Sequence, residues 1–198
     1  MDELACHPSF FKDFPIRAEI QSAFRFENKG IIQSLIHHFK YQEMPGLAQT
    51  LGLMWVKANP ELKASYDYLV PIPLHRTRYS ERGYNQSEML ALGIRSGCPI
   101  NISKRSWLKR IRQTPSQTGL TVEQREKNVR GAFALSKIGQ NHFKGKRLLV
   151  IDDVMTTGAT LASAASALIP AEPKRIDLFA LAAVVEQPDY SPFPILHS

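Results

Sequence analysis

Two nearly continuous apolar runs stand out in the second half of the chain. They are KRLLVIDD at 146–153 and RIDLFALAAVV at 175–185, and such runs are typical of strands buried on both faces of a parallel sheet. Between them, ATLASAASALI at 159–169 is rich in small residues and ends at Pro170, which predicts a helix. A strand, a helix and a second strand in this order indicate a parallel β–α–β unit.

Weaker patterns of the same two kinds fill the earlier part of the chain. Alternating or aromatic-rich stretches predict strands at 18–27, 66–71, 106–111 and 131–136. Apolar residues at helical spacing, or a capping residue with Glu or Gln three positions later, predict helices at 29–41, 47–58, 85–97 and 121–129. The polar stretch 113–121 predicts a mobile loop. Because strands and helices alternate, we predict an α/β fold in which helices cover both faces of a mostly parallel sheet.

Composition narrows the class of protein without indicating a function. The 198 residues suit one domain, and an apolar fraction of 43% is ordinary for a globular protein. No apolar run reaches the roughly 18 residues that a membrane helix needs, and the first residues lack the apolar core of a secretory signal. We therefore predict a cytoplasmic protein with no membrane association. Cys6 and Cys98 are too few for a disulfide framework, and no CxxC pair indicates zinc.

Positive charge is concentrated in one segment. The chain carries a net charge of +7, and residues 104–130 hold eight basic and two acidic residues, a net +6. Such a concentration favours an anionic partner, which could be a phosphate group, pyrophosphate or nucleic acid. The alternative is a solvent-exposed surface, where most charged segments of proteins are found.

The end of the first apolar run carries the most specific chemistry. Asp152 and Asp153 come at the carboxyl end of a predicted parallel strand, where open α/β sheets bind their ligands. The turn that follows leads into a helix, whose first N–H groups and dipole attract anions, and Gly158 lets the backbone approach a ligand closely. Carboxylates suit sugar hydroxyls or a hydrated divalent cation. A sugar phosphate has hydroxyl groups for the carboxylates and a phosphate for the turn. The lysine of a P-loop and the glycines of a dinucleotide fingerprint are absent from this stretch.

The thirteen residues LLVIDDVMTTGAT, 148–160, resemble the phosphoribosyl pyrophosphate (PRPP) motif of type I phosphoribosyltransferases. The resemblance implies that Asp152 and Asp153 hold the ribose hydroxyls and support catalysis, with Mg²⁺ bound beside them largely through ligand oxygens and water. It also implies that the following loop lines the 5′-phosphate, through Met155, Thr156, Thr157, Gly158, Ala159 and Thr160.

Three further segments narrow the family. IQSLIHHFKY at 32–41, VPIPLHRTRYSERGYNQSE at 70–88 and RQTPSQTGLTVEQREKNVRGAF at 112–133 resemble ComF-type proteins, which are associated with natural competence for DNA uptake. The resemblance covers about residues 20–185. It implies a type I phosphoribosyltransferase fold with a small N-terminal hood in residues 1–60, a core at 61–186 and an extended tail at 187–198. ComF-type chains often begin with a four-cysteine zinc ribbon, of which only Cys6 could be a remnant, so we predict no zinc.

Two of these segments correspond to pyrophosphate-binding parts of the family. The segment after the 66–71 strand resembles the pyrophosphate loop, which implies contacts from Leu74, His75, Arg76 and Arg82, and a non-proline cis peptide within residues 74–76. The 112–133 segment resembles the hood that closes over PRPP, which implies pyrophosphate contacts from Arg125, Lys127 and Arg130.

The resemblance implies a protein that binds PRPP with Mg²⁺ and transfers the phosphoribosyl group to a nitrogen acceptor, or that descends from such an enzyme. The alternative hypothesis is a non-catalytic factor that binds single-stranded DNA on the same fold. Its candidate DNA contacts are Trp107, Lys109, Arg110 and Arg112. Competence helicase-type proteins and a second copy of the chain are the other partners that the resemblance suggests.

Overall fold

The computed structural model describes residues 20–25, 44–113 and 122–184. The strands are β1 (Ile20–Arg25), β2 (Tyr68–Pro71), β3 (Asn101–Ile102), β4 (Leu108–Arg110), β5 (Phe133–Leu135), β6 (Arg147–Met155) and β7 (Arg175–Ala183). The helices are α1 (Pro45–Ala58), α2 (Leu62–Ser65), α3 (Arg76–Arg82), α4 (Gln86–Gly97), α5 (Val122–Val129), α6 (Lys137–Phe143) and α7 (Ala159–Leu168), with a short 3₁₀ turn at Ile169–Ala171.

Five strands form a parallel sheet in the order β1-β7-β6-β2-β3. β6 and β7 pair from Arg147 opposite Arg175 to Met155 opposite Ala183, whereas the pairing of β2 with β6 ends at Pro71 opposite Ile151. β6 therefore runs on past the end of β2, and its last residues have no paired strand on that side. β4 and β5 form a separate antiparallel ribbon.

Prolines explain why the sheet is short on the β2 side. The Ile72 N–H donates to the Ile151 carbonyl at 2.8 Å, so β2 faces β6 through this residue. Pro71 and Pro73 flank it and, by alternation, face the other side, where they have no N–H to donate. The neighbouring strand on that side, β3, has only two residues.

Both faces of the sheet are buried, as the apolar runs predict. Along β6, Leu148 and Val150 pack into a core with α6 and α7, while Leu149 and Ile151 pack on the opposite face with α1 and α4. Trp55 of α1 stacks on Phe179 of β7, with ring centroids 3.7 Å apart.

Helices α1 and α4 cross with their backbones in contact. A Cβ placed on Gly93 would lie 1.9 Å from the Gln49 carbonyl oxygen, and one on Gly52 would lie 2.3 Å from the Leu90 carbonyl oxygen. A side chain at either glycine therefore requires the two helices to separate.

Ion pairs fix the amino ends of the central strands. Arg147 donates from its backbone N–H and its guanidinium to the Asp67 carboxylate, at 2.8 and 3.2 Å. The fully buried Asp177 accepts from the Tyr66 hydroxyl at 2.7 Å and pairs with Arg175 at 2.6 Å. These charges lie at the end of the sheet opposite the predicted site.

The structure confirms the α/β architecture and most predicted elements. β1, β4, β5, β7, α1, α4, α5 and α7 lie within or close to the predicted ranges. β6 is longer than predicted, because pairing with β7 carries it through the two acids to Met155. Three helices, at 62–65, 76–82 and 137–143, were not predicted, since none shows an apolar period long enough to detect.

Several predictions lie outside the described residues. They are the 29–41 helix, most of the 113–121 loop, Cys6 and the 187–198 tail. The division into hood, core and tail stays a prediction. Among the described helices, none is long and apolar enough to cross a membrane.

We expect Gly93→Ala to destabilise the protein by about 3 kcal/mol, because the added methyl group overpacks a backbone contact. Urea unfolding measures the loss. Gly46→Ala is the matched control, since it lies in α1 and a Cβ there would meet nothing within 4 Å. Equal stability of the two variants would contradict the close crossing of α1 and α4.

The Asp67–Arg147 pair predicts a contribution to stability that depends on pH. Hydrogen bonds from Arg147 lower the pKa of Asp67 below its ordinary value of 3.8. A carboxylate with a depressed pKa stabilises the folded state above its unfolded pKa, and the contribution is lost as the pH falls through the folded pKa. Asp67→Asn should therefore lower the free energy of unfolding at pH 6, with a smaller deficit below pH 3.

Urea unfolding at the two pH values measures this difference. Glu172→Gln is the control, because the ion pair between Glu172 and Lys144 is exposed to solvent. A deficit for Asp67→Asn that does not change with pH would argue against the assignment to this ion pair.

Candidate functional site

Asp152 and Asp153 lie in the last part of β6 and are partly exposed. One oxygen of Asp152 accepts from the Asp153 N–H at 2.9 Å and from the Ser87 hydroxyl at 3.2 Å. Asp153 accepts from the Val154 N–H at 2.8 Å. Hydrogen-bond donors therefore hold both carboxylates in place at the carboxyl edge of the sheet.

The turn after β6 is built as the sequence predicts. The Val184 N–H donates to the Met155 carbonyl at 2.8 Å, which anchors the start of the turn to the chain beyond β7. Gly158 has φ 79°, a left-handed conformation that favours glycine, and it occupies the N-cap position of α7. Glycine offers no side chain to cap the helix, so the opening of α7 relies on other groups to satisfy its first N–H donors.

A surface pocket lies over this turn. It is lined by Asp152, Val154, Met155, Thr156, Gly158, Ala159, Thr160 and Leu161. The structure thus brings one predicted ribose-binding acid together with five of the six predicted phosphate-binding residues. Thr157 and Asp153 do not line the pocket, and the Thr157 hydroxyl lies 3.4 Å from the Ala159 N–H.

The predicted pyrophosphate loop is mostly a helix. After Leu74, which is partly exposed, His75 takes an extended conformation and caps α3, with Nδ1 3.4 Å from the Thr77 N–H. Gly83 ends α3 at φ 74°. Arg76 is exposed, and Arg82 donates to the Gln86 side-chain carbonyl at 3.3 Å.

The predicted cis peptide in this loop is wrong. All peptide bonds of the described residues, 74–76 included, are trans. An extended His75 leads directly into α3 and caps it, so the chain makes the turn without the less stable cis isomer.

Arg105 fastens α3 to the body of the domain. Its guanidinium donates through two nitrogens to the Glu88 carboxylate on α4, and it lies 4.2 Å from the centre of the Tyr79 ring on α3. The hydrogen bond to Glu88 is the main reason that the pKa of Arg105 is raised. Asn85 and Glu88 have the spacing of the capping pair that predicts the 85–97 helix, and the Asn85 side chain caps α4 through a 3.1 Å contact with the Ser87 N–H.

The DNA-contact hypothesis needs correction at Trp107, and at Arg110 it stays a prediction. Trp107 is only 5% exposed and packs edge-on against Tyr68 and Phe143, because β4 closes over the apolar face of the sheet. It cannot stack on a base. Arg110 is half-buried, with its guanidinium 5.5 Å from the Phe133 ring centre. Burial lowers the pKa of Arg110, and the Asp152 carboxylate opposes this effect. Arg110 thus belongs to the electrostatic environment of the acid site.

The other basic candidates are more exposed. Arg112 donates to the Asn128 carbonyl at 2.6 Å and so satisfies the C-terminal end of α5. Lys109, Lys127 and Arg130 are exposed. Arg125 lies in α5, and its side chain is outside the described part of the structure.

Charge and donor chemistry limit what this site can hold. No group of three or more His, Cys, Asp or Glu side chains gathers anywhere in the described ranges. The site instead offers two adjacent carboxylates, a helix start and nearby arginines. That set suits a polyanionic ligand with hydroxyl groups, and a hydrated Mg²⁺ held by one or two carboxylates and ligand oxygens.

Sequence reasoning missed the contribution of α4. Ser87 reaches Asp152 across 65 positions of the chain, and Arg105 reaches Glu88 across 17. Asn85 and Glu88 were recognised as capping residues, and no local pattern indicates that the residues between them contact the acid site.

Comparison with known proteins identifies the family. Residues 85–192, more than half of the chain, match the phosphoribosyl transferase domain. Competence protein F of Haemophilus influenzae is 32% identical over 64% of this chain and 57% of its own length. DNA utilization protein YhgH of Escherichia coli K12 is 28% identical over 70% of this chain and 61% of its own length. The chain thus spans about three fifths of the length of the curated relatives it matches.

A solved structure shows a more distant similarity. The glutamine PRPP amidotransferase from B. subtilis, complexed with ADP and GMP, is 17% identical, with a TM-score of 0.45 over 68% of this chain and 26% of that chain. The family match and the parallel sheet agree with the predicted type I phosphoribosyltransferase fold. The chain belongs to the phosphoribosyl transferase domain family, as a relative of the competence protein F group.

Proposed function

We propose that this protein binds PRPP with Mg²⁺ at the carboxyl edge of its sheet and transfers the phosphoribosyl group to a nitrogen acceptor. One observation carries the proposal: a single pocket joins the Asp152 carboxylate to the glycine turn at the start of α7. Few ligands need an acid for hydroxyl groups and a helix start for a phosphate in adjacent positions. A ribose 5-phosphate unit has both groups.

The parts of PRPP have separate places in this proposal. The ribose hydroxyls donate to Asp152 and Asp153, and the 5′-phosphate lies on the turn from Met155 to Thr160. Pyrophosphate lies towards α3, where Arg76 and Arg82 are found. Arg125, Lys127 and Arg130 of the hood segment are further candidates for this end. Arginine suits phosphate oxygens because its guanidinium donates two parallel hydrogen bonds.

The chemistry follows from this arrangement. The acceptor nitrogen forms a bond to C1 of the ribose as the bond from C1 to the pyrophosphate oxygen breaks, and the electron pair leaves with pyrophosphate. The nitrogen gives up a proton to water or base. Positive charge develops on the ribose ring, and the neighbouring carboxylates stabilise it. Bound Mg²⁺ would neutralise part of the charge on pyrophosphate.

The family relatives suggest where such an activity is used. Two of them are named for competence and for DNA utilization. We infer that this protein also acts in the use of DNA taken up by the cell. Single-stranded DNA, competence helicase-type proteins and a second copy of the chain remain candidate partners.

The alternative function, a non-catalytic single-stranded DNA-binding factor, is weakened by two observations. Trp107 is buried in the core, and Arg110 is half-buried beside the Phe133 ring. The exposed Lys109, Lys127 and Arg130 still allow contacts to a phosphate backbone. Binding of labelled single-stranded DNA that falls with salt and with charge removal at Lys109, in a protein that does not bind PRPP, would favour this alternative.

We expect Asp152→Asn/Asp153→Asn to weaken Mg²⁺–PRPP binding by about tenfold to a hundredfold, because each substitution removes a charged acceptor of hydroxyl hydrogen bonds. Isothermal titration calorimetry measures the affinity. Asp67→Asn is the matched control, since Asp67 lies at the opposite end of β6 and pairs with Arg147. If the parent protein does not bind PRPP, the proposed function is wrong.

Gly158→Ala tests the phosphate turn. The left-handed φ of 79° makes any L side chain unfavourable by about 1–2 kcal/mol, so we expect the turn to distort and the affinity for ribose 5-phosphate to fall about tenfold. Gly145→Ala is the control, because its φ of 67° imposes the same strain and a Cβ there meets nothing within 4 Å. Both variants should lose similar stability, and only Gly158→Ala should lose affinity. An equal loss of affinity in both variants would count against a phosphate-binding turn.

A further inference from the structure

The start of α4 contains an unusual run of buried polar side chains. In the described ranges, five polar or charged residues are buried, and three of them, Asn85, Gln86 and Ser87, are consecutive. All three are at most 3% exposed. Buried polar groups reduce stability unless hydrogen bonds compensate for their lost contact with water. We call these three residues the buried polar cluster. Their hydrogen bonds indicate which parts of the structure they hold in place.

Asn85 ties the cluster to the sheet. Its side-chain amide donates to the Ile72 carbonyl at 2.9 Å, just beyond the end of β2, and its oxygen accepts from the Ser87 N–H at 3.1 Å. Ile72 is itself bonded to Ile151 of β6. The cluster is thus fixed relative to the edge of the sheet that carries the acids.

Ser87 ties the cluster to the first acid. Its hydroxyl donates to Asp152 at 3.2 Å, and the same carboxylate oxygen accepts from the Asp153 N–H at 2.9 Å. Two donors that converge on one oxygen set the rotation of the carboxylate. Ser87 is 3% exposed, so water does not compete readily for its hydroxyl.

Gln86 ties the cluster to α3. Its side-chain carbonyl accepts from the Arg82 guanidinium at 3.3 Å. The other polar atom of this side chain, Nε2, is buried without a hydrogen-bond partner. A buried donor without a partner is uncommon and calls for a specific reason. The contact between the Gln86 carbonyl and Arg82 supplies that reason.

We propose that the buried polar cluster positions the two halves of the PRPP site from one rigid point. Ser87 orients the Asp152 carboxylate to accept from the ribose hydroxyls, and Gln86 orients the Arg82 guanidinium to bind pyrophosphate. Neither residue needs to touch the ligand, so both are positioning residues. This inference rests on the proposed function and goes beyond it, because it assigns separate halves of the ligand to neighbouring residues of one helix.

The test uses the two halves of PRPP as separate probes. Calorimetry measures the affinity of the full chain for ribose 5-phosphate and for pyrophosphate with Mg²⁺. We expect Ser87→Ala to weaken ribose 5-phosphate about tenfold and to leave pyrophosphate within about twofold, because one hydrogen bond to a charged group is lost on one side of the site. Gln86→Leu should show the reverse pattern.

Two controls separate positioning from loss of stability. Ser96→Ala removes a hydroxyl from the other end of α4, where Ser96 donates to the Gly93 carbonyl at 2.6 Å, and Gln140→Leu removes an amide from α6. Both should leave the two affinities unchanged. Thermal unfolding checks that every variant is folded. Should Ser87→Ala fail to fold, Ser87→Cys keeps the size of the side chain with a weaker donor and should give the same selective loss, smaller in extent.

The outcomes are distinct. A crossed pattern, in which each variant loses one probe, supports the inference. If the parent binds both probes and the variants lose both equally or neither, the inference is wrong and the proposed function stands. If the parent binds neither probe nor PRPP itself, the proposed function fails, and the inference fails with it.

Discussion

The site depends on a difference in length between neighbouring strands. β6 is paired on both sides as far as Ile151 and on one side only from Asp152 to Met155. Pro71 and Pro73 face β3 and limit pairing on that side, because proline has no N–H for the ladder. The acids thus lie on a strand that is held rigidly by β7 and open on the side of β2. A longer β2 would cover the acids, and a shorter β7 would leave them on a loose chain.

Electrostatics at this edge is balanced by residues from several elements. Asp152 lies near Arg110 of the antiparallel ribbon, which in turn is close enough to Arg78 of α3 for their charges to repel. Burial of Arg110 disfavours its charge, and Asp152 favours it. An anion beside Arg110 would interact with a guanidinium already partly removed from water, where electrostatic attraction is stronger than at a fully exposed surface.

The sequence was informative where function depends on adjacent residues. The acids, the glycine turn and α7 are contiguous, so the pattern predicted their relative positions, and the structure gathers most of them around one pocket. It was misleading where a residue's environment is set by distant packing. In β4, Leu108 and Arg110 point inward and Lys109 outward, so a run that looked like a uniform basic surface is divided between two sides.

Helix α3, RTRYSER, has no apolar period, and its bounds come from His75 and Gly83 rather than from burial. The contact of Ser87 with Asp152 depends on how α4 crosses the sheet, which local sequence does not encode.

The way α4 is held explains why polar groups are tolerated at its start. Gly93 lets α1 approach the backbone of α4, and Ile94 and Leu90 are fully buried, so the apolar part of the helix fixes its position without help from the first turn. Asn85, Gln86 and Ser87 are then available to make directional hydrogen bonds to Ile72, Arg82 and Asp152. Directional hydrogen bonds need a rigid base, since a shift of half an ångström in the helix would lengthen the contact to Asp152 beyond useful range. The close helix crossing at one end and the acid contact at the other are therefore parts of the same arrangement.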